Sequence, residues 1–195
     1  MLLEVIIGTT REGRFSEKVA AFALEQVGRR DDIDVELVDL RDHPLPFFDG
    51  TSPMWTGRDY PNEDVARFGR IIDRADAFLV LAAEYNHGYP AVLKNAMDWT
   101  FVEWRRKPIS FVSWGNVGGA RAVEQLRTVA IEFEMAPIRH AVHLLPDVMI
   151  ASMQAEDPTD LSVFKPARHR FTATLDDLVW WSTALAEARA ARPQD

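Results

Sequence analysis

Glu84, Tyr85, Asn86 and His87 place a carboxylate, a phenol, an amide and an imidazole at four consecutive positions. They follow the unbroken apolar run Ala77 to Ala82 and, through Gly88-Tyr89-Pro90, lead into the apolar helical pattern Ala91 to Trp99. Such groups fall at the carboxyl end of a buried strand, where open α/β sheets bind ligands. A second cluster, Gly8-Thr9-Thr10-Arg11-Glu12-Gly13-Arg14-Phe15-Ser16, joins the strand Leu2 to Ile7 to an amphipathic helix. Hydroxyls, glycines and arginines ahead of a helix amino terminus make an anion-binding loop. Unpaired N–H groups and the helix dipole favour a phosphate, and Arg11 or Arg14 adds a charge-assisted bond.

Other chemistries fit these residues less well. Gly8 and Gly13 have the spacing of a P-loop, but Arg14 and Phe15 stand where that motif needs lysine and a hydroxyl, which excludes nucleotide hydrolysis. Gly115-Asn116-Val117-Gly118-Gly119 lacks the Gly-x-Gly-x-x-Gly spacing of a dinucleotide fingerprint. Glu84 and Asp98 have no hydroxyl or thiol arranged for them to activate, so no side chain is assigned a catalytic acid or base role. His140 and His143 are three apart, which in a strand sends them to opposite faces, and no metal site is expected.

The first two loops together resemble the NADPH-dependent FMN reductase family, the flavodoxin-like group that includes quinone, azo-dye and chromate reductases. The matches are Gly8, Thr9 and Arg11 in a Gly-Ser-x-Arg type loop, then Glu84, Tyr85, Asn86 and Leu93 to Trp99 in a Pro-Glu-Tyr-Asn loop with its following helix. Ala83 replaces the usual proline and Thr9 the usual serine; the likeness spans roughly residues 2 to 145. The resemblance implies bound FMN, with NADPH or NADH as co-substrate. Thr9, Arg11, Arg14, Phe15 and Ser16 would then surround the phosphate. Glu84, Tyr85, Asn86, His87 and Gly88 would line the ring, while Ser113, Trp114, Gly115, Gly118 and Gly119 form a third flavin loop. The implied activity is hydride transfer to flavin N5 and onward to a quinone, free flavin, azo compound or metal oxyanion. A non-catalytic electron carrier or flavin-binding sensor on the same fold is the alternative.

The bulk numbers agree with a cofactor enzyme. The 195 residues, 47% of them hydrophobic, suffice for one domain. Thirty acidic against 22 basic residues, with no basic stripe, exclude nucleic acid as partner. The absence of cysteine leaves any redox work to a bound cofactor. No apolar run approaches a membrane span, and the amino terminus reads as a strand, so a cytoplasmic protein without membrane contact is expected.

The elements that must hold these loops alternate in period. Helical spacing marks Val19, Ala20, Ala23, Leu24 and Val27, then Val65, Phe68, Ile71, Ile72 and Ala75, and later Val123, Leu126, Val129, Ala130 and Phe133. Between them lie strands at Val35 to Leu40, with Val35 and Leu37 on one side, at Ala77 to Ala82, at Ile109 to Ser113 and near His140 to Leu145. This pattern predicts a doubly wound five-stranded parallel sheet of order 2-1-3-4-5, with a helical extension from about residue 146. The connection from Arg41 to Pro61, holding Phe47, Phe48, Met54, Trp55 and Tyr60, is too apolar for a solvated linker. It and the helix Pro90 to Trp99, with Phe101 and Trp104, are expected to pair two chains in a homodimer, or a homotetramer.

Overall fold

The computed structural model describes residues 1–192. β1 (Leu2–Ile7), β2 (Asp34–Asp39), β3 (Ala77–Ala83) and β4 (Pro108–Trp114) are parallel and run in the order β2-β1-β3-β4. Two short segments, β5 (Ala136–Pro137) and β6 (Val142–Leu144), both pair with β4. The flavodoxin-like order is therefore as expected, but the fifth strand is in two pieces. Ile138 still donates to Ile109 O at 3.1 Å, after which Arg139 to Ala141 leave the ladder, and Ser110 Oγ donates to the displaced His140 O at 2.7 Å. A strand hydroxyl thus satisfies a carbonyl that the ladder drops.

α1 (Ser16–Val27) and α7 (Arg168–Ala191) cover one face, where Leu3, Val5 and Ile7 meet Val19, Phe22, Phe171 and Leu175. α3 (Glu63–Arg74), α4 (Ala91–Asp98) and α5 (Ala120–Glu132) cover the other, where Ile6, Phe78 and Phe111 meet Phe68, Leu93 and Leu126. All seven residues of β3 and of β4 are buried, as continuous apolar strands between two helical layers must be. β2 departs from expectation. Val35 and Leu37 remain substantially exposed and Val38 is buried instead, because β2 is the edge strand and only its α3 side is covered.

The Arg41 to Pro61 connection is pinned to its own chain. Pro46 O accepts from Asn95 Nδ2 at 2.8 Å and Trp99 Nε1 at 2.7 Å, and Phe48 N donates to Asn95 Oδ1 at 2.8 Å. Tyr60 Oη donates to the buried Glu103 at the far end of the loop. A short helix, α2 (Pro53–Thr56), lies between these anchors. The expectation that helix Pro90 to Trp99 offers an apolar surface is not met. Leu93, Ala96, Met97, Trp99, Phe101 and Trp104 are all buried within this chain, Met97 at 2% exposure. Phe47 and Trp55 of the loop, by contrast, reach the surface, at 84% and 80% exposure.

One polar group sits inside the sheet's α3 side. Glu4 on β1 is fully buried with both carboxylate oxygens unpaired, and Lys107 is buried nearby with Nζ donating to Ile72 O at 3.1 Å and Asp73 O at 2.8 Å. Burial, then the charge of Glu36, pushes the Glu4 carboxyl up to about 8. After β6 comes α6 (Pro146–Gln154), then a 3₁₀ turn at Ser162–Ala167 whose Phe164 stacks on Phe22 at 4.8 Å. Among the described residues no helix is long and apolar enough to cross a membrane.

Candidate functional site

Three loops meet at the carboxyl edge of the sheet. The first leaves β1 at Gly8, whose N donates to Leu81 O at 2.9 Å, and turns through Gly13 into α1. Thr9 and Ser16, both fully buried, share a hydrogen bond of 2.7 Å that closes the loop on the helix start. Phe15 caps α1 without a side-chain hydrogen bond; its backbone O accepts from Lys18 N at 3.1 Å and Val19 N at 3.2 Å, and no side chain caps the two N–H groups before them. Arg14 turns away from them. Its guanidinium donates to Glu17 at 3.3 Å, to Thr9 O and to both oxygens of Asp39, at 2.8 Å for Oδ1. Burial opposes the ionisation of Asp39, but the Arg14 hydrogen bonds, the Arg41 N–H and the charges of both arginines together hold the carboxyl below its ordinary range. Arg11 is exposed beside the cleft, its guanidinium 5.6 Å from the Tyr85 ring centroid. Arg41 braces the loop from the side, donating from Nε to Thr10 O at 3.1 Å and from Nη2 to Arg11 O.

The second loop is a tight turn. Tyr85 N donates to Gly88 O at 2.8 Å and Gly88 N to Tyr85 O at 3.0 Å, with Asn86 at φ 49° and His87 at φ 74° between them. Positive φ at both central positions gives a type I′ shape, unusual for histidine and stabilised here by Gln125 Nε2 on His87 O at 2.9 Å. The Glu84 side chain, just before the turn, is buried, and its carboxylate pairs with Arg121, whose Nε lies 2.6 Å from Oε1. Arg121 also donates from Nη1 to His87 Nε2 at 2.8 Å; since arginine has only donors, His87 accepts there. Glu84 Oε2 has no hydrogen-bond partner in the chain.

The third loop is bound to the second, since Glu84 N donates to Trp114 O at 2.8 Å. Gly119 has φ 75°, and a Cβ there would lie 2.7 Å from Ser113 Cβ and 2.8 Å from Trp114 N, so nothing larger than glycine fits. Gly115 is equally close to Glu84, 2.9 Å from its Cβ. Ser113 Oγ sits beneath this loop and donates to Gly118 O at 2.7 Å. With that proton committed, His143 Nδ1 donates to Ser113 Oγ at 2.9 Å, and burial holds the imidazole below its ordinary pKa.

Between the loops lies a cleft of about 780 Å³, within the range of small-molecule sites. Of the residues expected there, Arg11, Arg14, Phe15, Glu84, Tyr85, Asn86, His87, Trp114 and Gly115 line it, with Phe15 edge-on to Trp114 at 5.8 Å. Thr9, Ser16, Gly88, Ser113, Gly118 and Gly119 lie outside the lining and shape the loops instead. Sequence reasoning missed Asn116, Arg121, Met149 and Met153. Arg121 was within reach of it, because it follows Gly119 by two residues at the start of a helix that points to this edge. The two methionines come from α6, and no local pattern marks them.

The model of the NADPH-dependent FMN reductase family matches residues 1–147. An NAD(P)H-dependent FMN reductase of Schizosaccharomyces pombe is 37% identical over 149 residues, covering 75% of this chain and 74% of that protein. A 2-hydroxy-1,4-benzoquinone reductase of a Burkholderia species is 34% identical over 135 residues, 65% of this chain and 68% of its own length. Among solved structures, FerB, a flavoenzyme NAD(P)H:(acceptor) oxidoreductase of Paracoccus denitrificans, superposes with a TM-score of 0.67 at 22% identity, covering 94% of this chain and 97% of that one. That last likeness bears on the fold.

Proposed function

The chain belongs to the NADPH-dependent FMN reductase family, and on that premise we propose that it is an FMN-dependent oxidoreductase. It takes a hydride from NADPH or NADH and passes two electrons to a small acceptor of the quinone or free-flavin class. The observation that carries the reading is the cleft, large enough for a flavin ring and bounded by three loops of complementary character. One presents helix N–H groups beside Arg11, one the Glu84–Arg121 pair with Asn86 and His87, and one the backbone of Gly115 beside the Trp114 ring. Those features fit FMN: an anion, a polar ring edge and a planar surface.

We assign the phosphate to the start of α1 and to Arg11. Arg14 holds the loop's shape by tying Thr9 O to Asp39, and Thr9 and Ser16 close it. Glu84, oriented by Arg121, and the backbone of Asn86, His87 and Gly115 face the polar edge of the ring, while Trp114, Phe15 and Tyr85 shield it from water. Bound FMN would supply the redox chemistry, as a two-electron carrier between the nicotinamide and the acceptor. The chain's residues bind, orient and exclude water, and none is required as acid or base. The segment from about residue 146 completes the same domain, since Phe164, Phe171 and Leu175 pack in one cluster with β1.

The exposed Phe47 and Trp55 support a homodimer joined through the Arg41 to Pro61 loop. The decisive test of the functional reading is the visible spectrum of the purified protein reconstituted with FMN, recorded anaerobically before and after adding NADPH or NADH. A flavin band that bleaches within the mixing time is expected. A protein that binds FMN yet is reduced by neither nicotinamide would be an electron carrier, and one that binds no FMN would overturn the proposal.

A further inference from the structure

The family match ends at residue 147, and α6 begins at Pro146, so this helix lies almost wholly beyond it. Two of its side chains nevertheless line the cleft: Met149 and Met153. They stand four residues apart, hence on one face of the helix, whereas Ile150 between them does not reach the cleft. Met149 packs against the core cluster that contains Trp114 and Phe164. Met153 is 73% exposed, an apolar side chain at the mouth of a cleft with little to cover it. The helix is tethered to α1, with Lys18 Nζ donating to Ser152 O at 3.4 Å. Elsewhere the lining is largely polar, through Glu84, Asn86, His87, Asn116 and Arg121.

We propose that Met149 and Met153 form the wall that selects the electron acceptor, favouring flat, uncharged aromatic or quinonoid molecules over inorganic oxyanions. An unbranched thioether adapts to rings of different outline and makes favourable contacts with aromatic edges. It offers an oxyanion no hydrogen bond in exchange for the water that the ion would lose. Covering Met153 removes its apolar surface from water, which adds to the affinity for an apolar ring and not for an anion. This inference rests on the cleft being the flavin site.

The test uses the FMN-loaded protein and three variants, Met153→Gln, Met153→Leu and Ile150→Gln. Binding of 1,4-naphthoquinone to the oxidised protein is followed by titration of the flavin spectrum, KM is measured for naphthoquinone and chromate, and FMN affinity by fluorescence. Met153→Gln should weaken naphthoquinone binding and raise its KM about tenfold, the scale of losing one apolar contact in a pocket. Its FMN affinity and its behaviour toward chromate, including no turnover at all, should match the wild type. Ile150→Gln should stay within about twofold of wild type, and Met153→Leu, which keeps the apolar surface but loses the sulfur, should fall between wild type and Met153→Gln. Naphthoquinone binding unchanged in Met153→Gln, an equal loss in Ile150→Gln, or a parallel loss of FMN affinity would each overturn the inference while leaving the functional reading intact. A wild type that binds no FMN would overturn both.

Discussion

Replacing Glu4 by glutamine should remove a stability loss of about 2 kcal/mol that this protein suffers as pH rises from 6 to 8. Glu4 is fully buried on β1 with neither oxygen hydrogen-bonded, and its carboxyl ionises only near pH 8. In the unfolded chain it ionises near the ordinary 4.5. Between those values the native state binds a proton that the unfolded state releases, so stability contributed below 4.5 is lost as pH rises toward 8. Carried from 4.5 to about 8, the carboxyl's ionisation represents about 5 kcal/mol in total, of which about 2 kcal/mol falls between pH 6 and pH 8. Lys107 opposes this only slightly in that window, because burial lowers its amine to about 8 and its contribution to stability rises mainly above that pH. Urea unfolding of wild type and Glu4→Gln, followed by far-ultraviolet circular dichroism at pH 5, 6, 7 and 8, measures the difference directly. Every other titrating group is common to both proteins, so the variant should gain about 2 kcal/mol on wild type between pH 6 and pH 8. Parallel stability profiles would refute the reasoning and mean that Glu4 is ionised in the native state at pH 6.

Arg11→Ala should weaken FMN binding by about 1.5 to 3 kcal/mol, the range for a charge-assisted bond, in a fluorescence titration where riboflavin, lacking the phosphate, binds poorly to both proteins. Gly119→Ala should cost about 2 to 3 kcal/mol in thermal unfolding and abolish tight FMN binding, since its Cβ meets backbone at 2.8 Å. Gly13→Ala, with positive φ but open space around it, should cost only about 1 kcal/mol. Arg121→Ala should destabilise by about 2 kcal/mol by leaving Glu84 buried without its partner, and adding Glu84→Gln should restore most of that in the same unfolding assay. Trp55→Glu should convert a dimer to a monomer by light scattering with FMN affinity retained, whereas Met97→Glu should fail to fold, because Met97 is in the core.

The order of the sheet and the three loops were legible in the sequence because they depend on local signals. Ala77 to Ala82 can only be a strand covered on both faces, and the polar cluster that follows it must sit at the sheet's carboxyl edge. The glycines of 115 to 119 mark a backbone that needs positive φ, which is a property of the residue itself. What the chain does with charges and apolar faces that meet across long sequence separations was decided only by the tertiary structure. The loop sequence puts Arg14 beside Arg11, and the fold adds Asp39, 25 residues away at the end of β2, which engages the Arg14 guanidinium at the cleft wall. The apolar helix after Pro90 looked like an interface, yet the long loop folds back on Asn95 and Trp99 and the core takes Met97. The fifth strand broke where Ser110 could take the carbonyl that β4 could not pair. Periodicity and backbone preference are written residue by residue, whereas the partner of a buried charge and the cover of an apolar face depend on which distant segments the fold brings together. Met149 and Met153 reach the cleft for that reason alone.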